Sequence, residues 1–274
     1  MSSHCTHNLT SEEHSQCPHS HHNHHHHGND LSVAELNSKT FDQMALNWDT
    51  NPSKAEFSRR VAHGIRDVFR GVLEKMNQKQ DLLIMDFGCG TGTLSLLFLN
   101  EFKEYIKRID AVDMSEGMIS QLKEKKSKLI QEGLLEGDDK IISHVIDLAL
   151  AETVNHPIVE NKGKCNVIIS GMVFHHLENV PEKMKLLASY LAPGGVLIFT
   201  DLDKDQEHSD KFHCKHMTHE VPYKGGFSSN EISQWLKEAH FVDEEFSRNV
   251  TTSKKGNDGI EREFILMTTS ASKH

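Results

Sequence analysis

The segment Leu82–Phe87 constrains this chain most, because six residues of strand-like text, Leu-Leu-Ile-Met-Asp-Phe, run straight into Gly88-Cys89-Gly90-Thr91-Gly92 and then into a helical pattern starting near Thr93. Glycines at alternate positions let a backbone turn sharply and come within contact distance of a ligand with no side chain in the way. The plain alternative is an ordinary strand-to-helix turn. The surroundings favour a ligand, since the loop follows a strand, opens a helix, and is followed by a second strand that ends in an acid, Asp113.

The rest of the chain fits the same architecture. Further apolar runs at Ile109–Asp113, Ile141–Asp147, Asn166–Ser170 and Val196–Asp201 are separated by amphipathic stretches at 93–107, 115–132 and 180–191. Strands alternating with helices give right-handed crossovers and a parallel sheet covered on both faces. The end differs: a helix over Asn230–Ala239 precedes Phe241–Thr252, a turn at Lys254–Gly259 and Ile260–Thr269, which reads as an antiparallel hairpin. Before the sheet, Phe41, Met44, Ala45 and Trp48 recur at helical spacing, and a longer amphipathic helix follows Pro52.

The ligand class is narrowed by spacing. A dinucleotide site wants a small residue where Thr93 stands, and a phosphate loop wants a Gly-Lys-Ser/Thr that is missing here. The pattern with an acid two residues before the first glycine suits a nucleoside without phosphate, and Asp113 is placed to accept hydrogen bonds from two ribose hydroxyls.

Charge and composition narrow the partners. The 274 residues carry a formal charge of −10, and residues 31–274 hold all 30 Lys and Arg against 37 acids. Such a body disfavours DNA and RNA, whose binding draws on Lys and Arg replacing counterions. No apolar run approaches the length of a membrane span. Five cysteines make no disulfide framework, and no leader pattern precedes the domain, so the expected location is the cytoplasm, with the nucleus also open. Ten of the 21 histidines fall in the first 28 residues. Residues 1–30 read as a disordered tail that picks up divalent metal adventitiously, with no dedicated metal site.

In order, Asp86–Gly92, Ala111–Ser115, Val145–Asp147, Val167–Leu177 and Leu191–Asp201 resemble the motifs of class I S-adenosylmethionine-dependent methyltransferases, in the small-molecule branch that includes the ubiquinone and menaquinone type. Phe41–Asp49 and the helix after Pro52 resemble that branch's N-terminal lid. The resemblance implies an α/β, Rossmann-like fold of seven strands in the order 3-2-1-4-5-7-6, strand 7 antiparallel, over residues 31–274, with 31–80 as lid helices and 203–227 as a substrate-side insertion. It implies S-adenosylmethionine as cofactor: Asp86, Gly88, Gly90 and Gly92 around methionine and ribose, Asp113 on the ribose, Met114 on adenine, Asp147 and Leu148 at the adenine edge, and Ser170 facing the methionine end.

Each assignment has a structural rival. Asp113 and Asp147 equally suit helix N-caps. His175 and His176 follow strand four, where a parallel sheet faces its ligand; His175 is the candidate proton acceptor, and packing or capping is the alternative. The text after strand four, Ser170-Gly171-Met172-Val173, lacks the Asn/Asp-Pro-Pro-aromatic run of enzymes that methylate exocyclic amines, which favours oxygen, carbon or sulfur acceptors on a small molecule. Protein or RNA methylation, and a metal-binding protein on a non-catalytic scaffold, are the rival functions. In the insertion, a helix would put Asp210, His213 and His216 on one face near Cys214 and His219, which makes a metal site imaginable and a polar lid the plainer reading.

Overall fold

The computed structural model describes residues 31–76, 79–135, 140–213 and 221–274. A seven-stranded sheet is built from β1 (Leu82–Phe87), β2 (Ile106–Asp113), β3 (Ile141–Val145), β4 (Cys165–Gly171), β5 (Leu191–Leu202), β6 (Phe241–Lys255) and β7 (Glu261–Lys273). Their order is β3-β2-β1-β4-β5-β7-β6, as the family resemblance implies. The first five strands pair parallel, and β7 runs antiparallel to both β5 and β6.

Helices α1 (Val33–Ala45), α2 (Pro52–Lys75), α3 (Thr93–Phe102), α4 (Glu116–Gln131), α5 (Val180–Tyr190) and α6 (Ser229–Glu238) complete the chain order. The central strands are apolar on both faces, so each face carries a core. Against one, Phe69 of α2 packs on Phe98 and Phe102 of α3 with ring centroids 4.9 and 4.8 Å apart. Against the other, Met184 and Leu187 of α5 join Ile232 and Leu236 of α6 over Ile168 and Phe199. Helix α2 is therefore a core layer over most of its length, with Val61, Ile65 and Phe69 buried.

Local chemistry sets the helix boundaries. Asn51 accepts from the backbone N–H groups of Ser53 and Lys54 at 3.0 and 3.1 Å, with Pro52 in the first turn. Replacing Asn51 by Ala is expected to cost about 1 kcal/mol in a denaturant titration, with the slope unchanged.

Several boundaries differ from the sequence pattern, and two of them bear on the site. The first crossover helix stops at Phe102 rather than continuing through Lys107, because Ile106 pairs with Leu82 in the sheet and the Tyr105 carbonyl accepts from Leu82 N at 2.9 Å. The stretch between α3 and Asp113 is thus an eight-residue β2. β3 ends at Val145, and Asp147 instead caps a short 3-10 turn, accepting from Ala149 N at 2.9 Å.

Candidate active site

The glycine loop lies at the carboxyl end of β1, and its three glycines do different work. All have positive φ: +70° at Gly88, +54° at Gly90 and +77° at Gly92. A Cβ on Gly88 would lie 2.3 Å from Val173, and one on Gly92 would lie 2.1 Å from Leu122, so these two admit neighbouring side chains. A Cβ on Gly90 would meet nothing within 4 Å. Gly90 faces open space, and that space is a cavity of about 780 Å³ bordered by the loop, Asp113, Ile146–Leu150, Gly171–Val173 and the helices α1 and α2.

Asp113 ties the loop to the end of β2. Its Oδ2 accepts from Gly90 N at 2.8 Å and its Oδ1 from Ser115 N at 2.9 Å. Burial pushes its carboxyl above the ordinary aspartate value, and the amides of Ser115, Gly90 and Met114 oppose the shift. Asp86 is wholly buried at the cavity wall. Its Oδ2 accepts from Ser95 Oγ at 2.6 Å, and its Oδ1 has no hydrogen-bond partner among the described residues. Burial pushes its carboxyl up to about 7, Asp113 adds to the rise, and Ser95 opposes it.

A carboxyl raised from 3.8 to about 7 gives stability that is complete below pH 3.8 and lost as pH rises through about 7. The thermal midpoint of the cofactor-free protein is accordingly expected to fall across that window, and Asp86→Asn to flatten the fall; scanning calorimetry at a series of pH values measures both.

Helix α1 is pinned over the cavity by polar contacts. Asn37 Nδ2 donates to the His176 carbonyl at 2.8 Å, and Ser38 Oγ donates to the Met114 carbonyl at 3.1 Å. Asp42 Oδ1 accepts from Ser115 Oγ at 2.6 Å and Gly117 N at 2.8 Å. Just beyond, Asp49 accepts from Thr91 Oγ1 at 3.0 Å and pairs with Lys125 at 2.8 Å. Phe41 stands edge-on to Trp48 and to His176, with centroids 5.9 and 5.2 Å away. Asn37, Ser38, Asp42 and Asp49 were not singled out one by one in the sequence, although they sit in or beside the Phe41–Asp49 segment that was.

The profile of the family described as a methyltransferase domain matches residues 57–245. This chain belongs to that methyltransferase family. An uncharacterized methyltransferase of Schizosaccharomyces pombe is 27% identical over 168 residues, covering 59% of this chain and 54% of that protein. Malonyl-[acyl-carrier protein] O-methyltransferase of Priestia megaterium is 27% identical over 212 residues, 75% of this chain and 68% of that one. The chain thus matches between about half and two thirds of these relatives' own length. Among solved structures, magnesium protoporphyrin IX methyltransferase of Synechocystis PCC 6803, determined with bound S-adenosylmethionine, superposes with a TM-score of 0.58 at 18% identity, covering 90% of this chain and 100% of that one. The fold is that of the class I S-adenosylmethionine-dependent methyltransferases.

The methyltransferase's cavity fits that cofactor on two counts. Asp86 Oδ1 is a buried acceptor without a partner among the described residues, and Gly90 leaves room for a ligand against the backbone. Of the residues singled out by sequence, Asp86, Gly88, Gly90, Asp113, Met114, Asp147 and Leu148 border the cavity. Three stand behind its wall. Gly92 opens α3 against Leu122. Ser170 is fully buried and donates to the Phe87 carbonyl at 2.7 Å, pinning β4 to β1, while its neighbour Gly171 reaches the wall. His175 is 1% exposed and held on Asp201, so His176 is the member of the pair that borders the cavity.

Five acids line the cavity: Asp86, Asp113, Asp147, Glu178 and Glu182. Among the described lining residues the one Lys or Arg is Lys183, 3.5 Å from Asp147. Of the polar cluster at 210–219, the described residues part company: Asp210 is on the surface with Lys211, whereas His213 is buried. Cys214, His216 and His219, like the tail, lie outside the described residues. Among the described residues no group of three or more His, Cys, Asp or Glu is arranged to hold a metal, and no helix is long and apolar enough to cross a membrane.

Proposed function

We propose that this methyltransferase transfers the methyl group of S-adenosylmethionine to an uncharged small molecule, alone or carried on a larger partner. The size of the cavity carries the reading: about 780 Å³ lies high in the range of roughly 300–1,000 Å³ that encloses one drug-sized ligand, which leaves room for an acceptor beside the cofactor. Bound there, the cofactor supplies a methyl group activated by its sulfonium, so the protein's work is chiefly to orient and to exclude water.

The residues divide that work. Asp113 accepts the ribose hydroxyls on lone pairs left by Gly90 and Ser115, Met114 and Leu148 flank the adenine, and Asp147 meets its edge. Gly90 admits the ligand to the backbone, and Asp86 Oδ1 takes a donor from the methionine end. Phe41, Trp48, Phe57, Val61 and Met172 form the apolar wall for the acceptor. Glu178 and Glu182, the two lining acids not assigned to the cofactor, and a lysine paired with Asp147 argue for an acceptor without negative charge at binding. The acceptor of the Priestia relative is carrier-bound by its name, which supports keeping a carried acceptor within the proposal.

Release of S-adenosylhomocysteine tests the proposal, with the purified protein offered the dialysable and the macromolecular fractions of a cell extract separately. Release with the dialysable fraction or with a carrier-bound metabolite is expected. Methyl label confined to protein side chains or RNA would contradict it.

A further inference from the structure

Helix α2 borders the cavity through Phe57 and Val61, and the turn after β4 borders it through Met172. Missing side chains let these parts approach closely. A Cβ on Gly171 would lie 2.9 Å from Val61 Cγ1, and one on Gly64, inside α2, would lie 2.2 Å from Val250 Cγ2 on β6. Glycine within a helix is otherwise unfavourable, so Gly64 marks where α2 lies directly on the sheet. Met172 is held in an uncommon state. Its φ is +61°, a region that strains any residue with a Cβ, and its N–H donates to the Thr200 carbonyl at 2.8 Å.

From Thr200 a chain of hydrogen bonds leads back to α2. Thr200 Oγ1 lies 2.7 Å from Thr268 Oγ1, and both residues are fully buried. Thr268 donates to Asn249 Oδ1 at 2.8 Å, which uses its one hydroxyl hydrogen and makes Thr200 the donor between the two threonines. Asn249 Nδ2 then donates to the Gly64 carbonyl at 2.9 Å. A bulge in the edge strand makes this reach possible. Ser247 pairs with Thr268 and Val250 with Leu266, so β6 advances three residues where β7 advances two, and such an extra residue re-aims its neighbours' side chains. A second polar tie from α2 to β6 runs along the surface, from Arg60 Nη1 to the Thr251 carbonyl at 3.2 Å.

Building on the methyl-transfer reading, we propose that Asn249 is a positioning residue for the acceptor: with Thr268 and Thr200 it sets the gap between α2 and Met172, and that gap sets the size of the acceptor admitted. Met172, at the far end of the chain, is the specificity-determining side chain. The width of the site is thus governed from the edge of the sheet, by residues that touch neither acceptor nor cofactor. Aromatic and aliphatic groups on one side of the gap and a thioether on the other suit an apolar ring compound.

The test uses the full chain saturated with S-adenosylhomocysteine and two neutral dyes whose emission shifts in apolar surroundings: prodan, built on naphthalene, and the larger Nile red. The wild type is expected to bind prodan at one saturable site and to prefer it to Nile red. Asn249→Ala and Thr268→Val should weaken prodan about fivefold, the scale of one lost hydrogen bond, and move the preference toward Nile red, with S-adenosylhomocysteine affinity unchanged. Thr268→Ser keeps the hydroxyl and should restore wild-type preference. Met172→Gly suits the positive φ, so it should fold and move the preference the same way. An unchanged ratio of the two dye affinities in Asn249→Ala, a cofactor-product affinity that falls in parallel with prodan, or no saturable prodan binding by the wild type overturns the proposal. Failure of the wild type to bind S-adenosylhomocysteine at all would instead defeat the methyl-transfer reading beneath it. If Thr268→Val does not fold, Asn249→Ala, on the exposed edge strand, and Met172→Gly still decide.

Discussion

Gly92→Ala is expected to unfold at markedly lower denaturant than the wild type, while Gly90→Ala, two residues away, keeps its fold and loses its cofactor. Both glycines have positive φ, so alanine costs about 1–2 kcal/mol at either position from backbone strain alone. The space around the added methyl separates them. At Gly92 it would lie 2.1 Å from Leu122 Cδ1 and 3.0 Å from its Cγ, on a buried residue of α4 that cannot move aside freely. Overpacking of this kind adds about 1–3 kcal/mol, for a total of about 2–5 kcal/mol. At Gly90 the methyl meets no protein atom within 4 Å and enters the space assigned to the ligand. Urea titration should separate the two in stability, and calorimetric titration with S-adenosylmethionine should separate them in the opposite sense, with Gly90→Ala weakened about a hundredfold. Equal stability losses, or undiminished binding by Gly90→Ala, would break the division of labour read from the loop.

Asp113→Ala carries the second large effect. The carboxylate is engaged by Gly90 N and Ser115 N, one on each oxygen, and each oxygen keeps a further lone pair for a hydroxyl. Removing it takes away both acceptors for the ribose and the strut that holds Gly90 in place. Hydrogen bonds to a charged group contribute about 1.5–3 kcal/mol each, so affinity for S-adenosylmethionine should fall by at least about a hundredfold. Asp113→Asn keeps one acceptor oxygen and should fall between alanine and wild type. If Asp113 served only as a cap for the start of α4, asparagine would restore stability and binding together, and alanine would lower both in proportion.

The parts of this fold that sequence made legible are those governed by local composition. The apolar runs of β1, β4 and β5 are buried on both faces and so read as unbroken hydrophobic text, and the glycine loop announced itself because only glycine serves at Gly88 and Gly92. The boundary at Phe102 was hidden, since Lys103–Lys107 is compatible with helix until Ile106 finds Leu82 across the sheet. The pins that hold α1 over the cavity were hidden for the same reason: Asn37 reaches 139 residues along the chain to His176, and Asp42 reaches 73 to Ser115. No spacing rule connects such pairs. Ser170 and His175 sit at the right end of the right strand, yet the twist of one residue decides which side chain reaches the wall, and Gly171 and His176 do so. His213 could be marked as one histidine in a polar insertion; its place beside His175 is a property of the folded chain.

The most direct measurement is calorimetric titration of the full chain with S-adenosylmethionine, repeated with Asp113→Ala. The structure predicts saturable binding at one site per chain in the wild type and binding weakened at least about a hundredfold in the variant. No binding by the folded wild type, or equal affinity in the two proteins, would contradict the assignment of this cavity to the methyl donor.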